Sequence, residues 1–203
     1  MAVSRIRTAT AVVVGDASAC ALLASGTTDC WGSNDSGELG NGTTTASDTP
    51  VAVRGIKSAD AISAGVAACA LLASGAIDCW GYNGTGELGN GTTNESDRPV
   101  AVSGITNATA ISAGYGSACA LLATGAIDCW GYGGGGKLGN GTMTIDSATP
   151  VAVSGITNAT AVSVGGESAC TLLDSGAIDC WGSNVGNGTA TESDTPVQVS
   201  GLP

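Results

Sequence analysis

Eight cysteines are the residues of this 203-residue chain most open to chemistry, and they fall into four pairs of identical spacing: Cys20/Cys30, Cys69/Cys79, Cys119/Cys129 and Cys170/Cys180. Paired thiols can bind a soft metal, stay reduced in a buried site, or form a disulfide. Zinc asks for four ligands in one place, yet each segment offers one cysteine pair, the chain has no histidine, and the next pair is some fifty residues away. No metal site is expected. Reduced thiols in a reducing compartment are the stronger competitor to cross-links.

The segment between the cysteines of a pair bears on that choice. In Ala68–Gly81, ACALLASGAIDCWG, apolar residues flank Ala73-Ser74-Gly75. A three-residue hairpin loop ending in a left-handed glycine suits that triplet. Leu72 then faces Ala76, and counting outward Cys69 faces Cys79 on a close, non-hydrogen-bonded pair where a disulfide fits. A two-residue Ser74-Gly75 turn would instead set Cys69 opposite Trp80. The three-residue loop gives every cysteine a partner, and four hairpin disulfides are expected on that register.

The same segment occurs four times. Its first cysteines are 49, 50 and 51 residues apart, and Trp31, Trp80, Trp130 and Trp181 keep those intervals. A period of this size marks a repeat architecture, in which each unit buries its core against its neighbours. The units are read as approximately 1–50, 51–99, 100–150 and 151–203 of a single repeat domain. Thirty-three glycines, no phenylalanine and much Thr, Ser and Asn favour turns and short strands.

Within a unit, VAVSGI (Val151–Ile156) reads as one strand and ATAISAG (Ala108–Gly114) as a second. The cysteine hairpin supplies two more. A loop rich in Gly and Asn follows, such as Ser33–Gly42, and then a proline, Pro50 in the first unit, at the next VAV strand. Four short strands per fifty residues are expected to form the antiparallel blade of a β-propeller, an all-β fold.

The combination of Cys69-Ala70-Leu71-Leu72, Cys79-Trp80-Gly81 and Leu88-Gly89-Asn90-Gly91, recurring in register, resembles the repeat of the regulator of chromosome condensation family, in the cysteine-paired form common in bacterial extracellular proteins. The resemblance covers nearly the whole chain and implies a propeller of four-stranded blades. It does not carry over nucleotide exchange on a small GTPase or chromatin binding, which belong to one branch. Two departures stand out. Family propellers typically have seven blades against four repeats here, and the stretch after Trp181 is four residues shorter than its counterpart after Trp31. The VxVSxI element also occurs five times, from Met1–Ile6 to Val197–Leu202, so one copy is surplus. Exchange of that strand between two chains would complete an eight-bladed ring, and end-to-end addition would build a filament.

Six Lys and Arg against seventeen Asp and Glu, a formal charge of −11, exclude nucleic acid and disfavour an anionic membrane surface. With no histidine and no nucleophile motif, catalysis and cofactors are not expected. Arg5 and Arg7 before an apolar run look like a targeting signal, but Asp16 interrupts the run and Ile6–Gly26 aligns with Ile156–Gly176. Paired cysteines then imply a secreted or cell-surface protein exported by a leader missing from this chain, or excised from a longer one.

The repeated Asp29, Asp78, Asp128 and Asp179 could form a cation-binding ring, or could be one structural device copied with the unit. Asn41, Asn90, Asn140 and Asn187 lie in Asn-Gly-Thr, a glycosylation pattern that is also turn chemistry; Asn83, Asn107 and Asn158 extend it. The Gly133–Gly136 run lacks the residues of a phosphate loop. The tryptophans are expected to pack between blades, with sugar stacking as the competing role. Tyr115, Lys137, Met143, Ile145 and Arg98 break the repeat pattern. A non-enzymatic scaffold for protein–protein interaction is expected, self-associating to close a ring, most simply as a dimer. The alternatives are a self-assembling structural subunit and a glycan-binding, lectin-like module.

Overall fold

The computed structural model describes residues 6–189 and 191–201. Val, Ile and Thr alternating with Ala suit a pleated, half-buried surface, and these segments form the inner strand of each of four sheets. In the first sheet the chain runs through β1 (Ala9–Val14), β2 (Ser18–Leu23), β3 (Thr28–Gly32) and β4 (Ser47–Ala52), each antiparallel to the one before. The second holds β5 (Ala59–Ala64), β6 (Ala67–Leu72), β7 (Ile77–Gly81) and β8 (Ser96–Ala101). The third holds β9 (Ala108–Ala113), β10 (Ser117–Leu122), β11 (Ile127–Gly131) and β12 (Ser147–Ala152). The fourth holds β13 (Ala159–Val164), β14 (Ser168–Leu173), β15 (Ile178–Gly182) and β16 (Ser193–Gln198). Among the described residues a single 3-10 turn, Gly134–Gly136, interrupts the all-β pattern.

The cysteine hairpin closes on Ala73-Ser74-Gly75. The Leu72 N–H donates to Ala76 O at 2.9 Å, Gly75 is left-handed at φ 82°, and Cys69 stands opposite Cys79. The VAV segments depart from the order read in the sequence. Val51 pairs with Cys30, Val100 with Cys79, Val151 with Cys129 and Val197 with Cys180. Each is therefore the outer strand of the blade before it, and a blade runs from ATAIS to TPVA. Pro50 lies inside β4 rather than ahead of a strand, which the edge position permits because one N–H row there has no ladder partner. The first VxVSxI copy, Met1–Ile6, falls almost wholly outside the described residues.

The core sits between sheets. Cys20, Leu22, Cys30, Leu39, Val53 and Ile56 of the first blade pack against Ala59, Ile62, Ala68, Ala70 and Trp80 of the second. Equivalent residues join the second blade to the third around Trp130 and the third to the fourth around Trp181. Each blade thus turns its cysteine face to the next blade and its tryptophan face to the previous one. The inner strands converge closely where each ends in glycine: a Cβ on Gly65 would lie 1.8 Å from Gly114 O, and one on Gly15 2.4 Å from Gly65 O. Only glycine fits a backbone approached that tightly.

Candidate interaction site

All four cysteine pairs are bonded: Cys20–Cys30, Cys69–Cys79, Cys119–Cys129 and Cys170–Cys180, with no free cysteine. The first three are buried in the interfaces between blades. Among the described residues no cluster of three or more His, Cys, Asp or Glu could hold a metal ion. Asp29, Asp78, Asp128 and Asp179 stand one per blade on the third strand, opposite Ala21, Ala70, Ala120 and Thr171. Burial raises the carboxyl pKa of Asp78 and of Asp128.

The indole N–H of Trp80 donates to Glu38 O at 2.9 Å, that of Trp130 to Glu87 O at 2.8 Å, and that of Trp181 to Lys137 O at 2.9 Å. Beside each bond a left-handed glycine, Gly40, Gly89 or Gly139, lies against the indole edge, where a Cβ would come within 2.8 to 2.9 Å of Cδ1. The Leu-Gly-Asn-Gly loop of one blade is thus the seat for the Cys-Trp-Gly of the next, which is why the two motifs recur together. Fully buried, Trp80, Trp130 and Trp181 present no face on which a sugar could stack. Trp31 is half-buried, with no preceding blade among the described residues.

Asparagines organise the loops. Buried Asn34 donates from Nδ2 to Thr43 O at 2.8 Å and Thr45 O at 3.0 Å, while its Oδ1 accepts from the Leu39 N–H at 2.8 Å. Asn83 does the same toward Thr92, Asn94 and Leu88. Asn41, Asn90, Asn140 and Asn187 each accept from the N–H and hydroxyl of the threonine two residues on, an Asx turn. In the third blade Gly133 replaces the buried asparagine, and Asp146 accepts its N–H at 2.9 Å.

The ends of the arc are the bare counterparts of the interfaces. Val12 and Val14 on β1 are 64% and 75% exposed, although Ile62, at the position of Val12, is buried at 9%. At the other end Leu172 on β14 is 41% exposed, against 5%, 4% and 6% for Leu22, Leu71 and Leu121. One end carries the tryptophan side of an interface and the other end the cysteine side.

A cavity of about 390 Å³ opens where the turns and loops of the first three blades meet. Tyr82, Tyr115 and Tyr132, the only tyrosines of the chain, all line it, together with Asp16, Glu38 and Glu87. Tyr115 was visible as a break in the repeat; Tyr82 and Tyr132 were missed. The available signal was their replacement by Ser33 and Ser183 in the other two blades. Lys137, also a pattern-breaker, is buried beside this site. It donates to the carbonyls of Tyr115 and Gly166, and its ammonium stands 5.7 Å from the centroid of the Tyr132 ring. Desolvation lowers the Lys137 pKa, against the opposing pull of Glu167 and Glu87. Met143 and Ile145 lie exposed in the following loop, and Arg98 on β8 makes a 3.8 Å contact with Asp97 at the surface.

Four-stranded blades joined through one repeated interface define a protein of the β-propeller class. Residues 30–72 and 74–121 match the model of the regulator of chromosome condensation (RCC1) repeat, so this part of the chain carries repeats of the RCC1 type. Human WBSCR16 superposes with a TM-score of 0.85 at 22% identity, over 96% of this chain and 53% of that one. Prp20p from Saccharomyces cerevisiae, in a structure described together with its binding properties to Gsp1p and histones, gives 0.84 at 17% identity, over 98% and 52%. Yeast RCC1 (Prp20), solved with Kap60 bound, gives 0.81 at 21% identity, over 95% and 49%. The chain therefore spans about half the length of these propellers. No curated protein matches it in sequence.

Proposed function

We propose that the chain is a secreted, non-enzymatic scaffold for protein–protein interaction that completes a ring by self-association. The observation that carries this reading is the pair of unmatched faces: Val12 and Val14 at one end, where Ile62 and Val164 at the equivalent positions of other blades are buried, and Leu172 at the other, where Leu22, Leu71 and Leu121 are each buried against the next blade. Apolar surface of that kind favours being covered, and the two faces are halves of one heterologous contact. Two chains meeting head to tail at both ends would make an eight-bladed ring. The strand-exchange route involves Met1–Ile6, of which residues 1–5 lie outside the described residues, so the contact is assigned to blade faces. Four disulfides support an oxidising compartment and hence secretion. Among the described residues no helix is long and apolar enough to cross a membrane. The protein complexes in which Prp20 is found support a protein partner for the completed scaffold.

Absolute mass by light scattering after size exclusion, non-reducing and over a concentration series, tests it. A stable dimer that Val14→Glu or Leu172→Glu disrupts is the expected result. A monomer at every concentration overturns self-association, and open-ended growth replaces the ring by a filament.

A further inference from the structure

The second and third blades carry a device that the first and fourth lack. Tyr82 is followed two residues on by Gly84, and Tyr132 by Gly134, where the first blade has Ser33 and Asp35. A Cβ on Gly84 would meet the Tyr82 hydroxyl at 2.2 Å, and one on Gly134 the Tyr132 hydroxyl at 2.0 Å. Neither glycine is left-handed, so each is needed for the ring that lies over it and not for the turn. The two rings are thus seated by their own loops, and Tyr115, from the β9–β10 turn, joins them around one cavity.

Carboxylates are placed around the same space. Glu87 is buried, and its carboxylate accepts from the Thr85 N–H at 2.9 Å and from the Thr85 hydroxyl. The Glu38 carboxylate accepts from the Ser36 N–H at 3.0 Å, and Asp16 completes the set. Among the described residues no lysine or arginine lines the cavity. A narrow recess sharing Val66 and Glu87 with the cavity holds the Ser117 hydroxyl, which is buried and has no hydrogen-bond partner. The Tyr132 ring already carries one ammonium from within the fold, that of Lys137, whose donors are turned to main-chain carbonyls.

We propose that this cavity binds the guanidinium of an arginine side chain presented by a partner protein. Aromatic rings offer a negative face to a cation, and a planar guanidinium stacks on them while its fork of donors reaches several carboxylates at once. An ammonium is a compact point charge and would use fewer of these groups. A second copy of this chain is a poor donor, because its net charge of −11 opposes docking at an acidic mouth. The proposal rests on the protein-interaction reading and names the chemistry of the partner.

The test is isothermal titration of the full chain, at low ionic strength, with a blocked Gly-Gly-Arg-Gly-Gly peptide and its lysine and citrulline counterparts. The arginine peptide is expected to saturate one site per chain, with citrulline weaker by about tenfold or more. Tyr115→Ala and Tyr82→Ala, which leave net charge untouched, are each expected to weaken the arginine peptide about fivefold. Tyr115 lies exposed in a turn, so its truncation spares the core, and near-ultraviolet circular dichroism checks the fold of both variants. Absent saturation, equal binding of citrulline, or tyrosine variants within about twofold of the parent overturn the proposal; the last would mark diffuse attraction to an acidic protein. Lysine binding as tightly as arginine overturns the guanidinium assignment. Light scattering on the same samples separates the two readings, since a ring that assembles without binding arginine sinks only the cavity proposal.

Discussion

The indole N–H of Trp130 is bonded, at 2.8 Å, to the main-chain carbonyl of Glu87 in the preceding blade. It is one of three such bonds, and it ties the largest fully buried side chain of one blade to the loop of another. Replacing Trp130 by Phe leaves that carbonyl without its donor, which costs about 1–3 kcal/mol. Trp130→Ala adds a cavity and is expected to cost about 3–5 kcal/mol. Trp31→Phe, where no seat lies among the described residues, should change monomer stability little. Chemical denaturation of the three variants checks the order.

The disulfides are expected to differ by position. Each closes a loop with a sequence separation of 10, worth about 2–3 kcal/mol through the unfolded chain. Replacing Cys119 and Cys129 together by Ala also empties space at a buried interface, whereas Cys170 is only half-buried. The Cys119/Cys129 variant should therefore melt lower than the Cys170/Cys180 variant.

Among the glycines, Gly65→Ala should be strongly destabilising, because its Cβ would collide with the Gly114 carbonyl, a main-chain atom that cannot swing aside. Gly166→Ala meets no atom within 4 Å and needs no left-handed backbone, so it is expected to be neutral or slightly stabilising. Thermal melts of the pair compare the glycine that ends one inner strand with a glycine in the turn that follows another.

Burial raises the pKa of Asp78 and Asp128 from the ordinary value of an aspartate. The folded state then holds these protons more tightly than the unfolded one, so this contribution is greatest below about pH 4 and is lost as pH rises through the folded-state pKa. Asp78→Asn with Asp128→Asn is expected to raise the melting temperature at pH 7 and to make little difference at pH 3. A variant that stabilises equally at both pH values would contradict the assignment.

The four-stranded blade was legible in the sequence because a single triplet, Ala73-Ser74-Gly75, sets the register of the whole cysteine hairpin. Its left-handed glycine admits one loop, and the loop decides which residues face each other. The phase of the repeat was not legible. A periodic sequence can be cut anywhere, and only the hydrogen bonds that pair Val51 with Cys30 assign the VAV strand to the blade behind it. The tyrosine cavity was hidden for a different reason. Tyr82 and Tyr132 are fifty residues apart, and nothing local to either says that blade curvature brings their loops to one opening. Lys137 was readable as a departure from Glu38 and Glu87, but not as a buried group, since its partners are carbonyls that no side-chain pattern announces.

The seating of each tryptophan on the loop before it gives the chain a direction. At each of the three joints the earlier blade offers a carbonyl forward and the later one an indole backward, so two such blades fit in one order and not in the other. A joint of that kind is indifferent to how many units precede it. Duplicating a fifty-residue unit therefore adds a finished joint without altering an existing one, and growth or loss of blades becomes a matter of copying rather than of redesign.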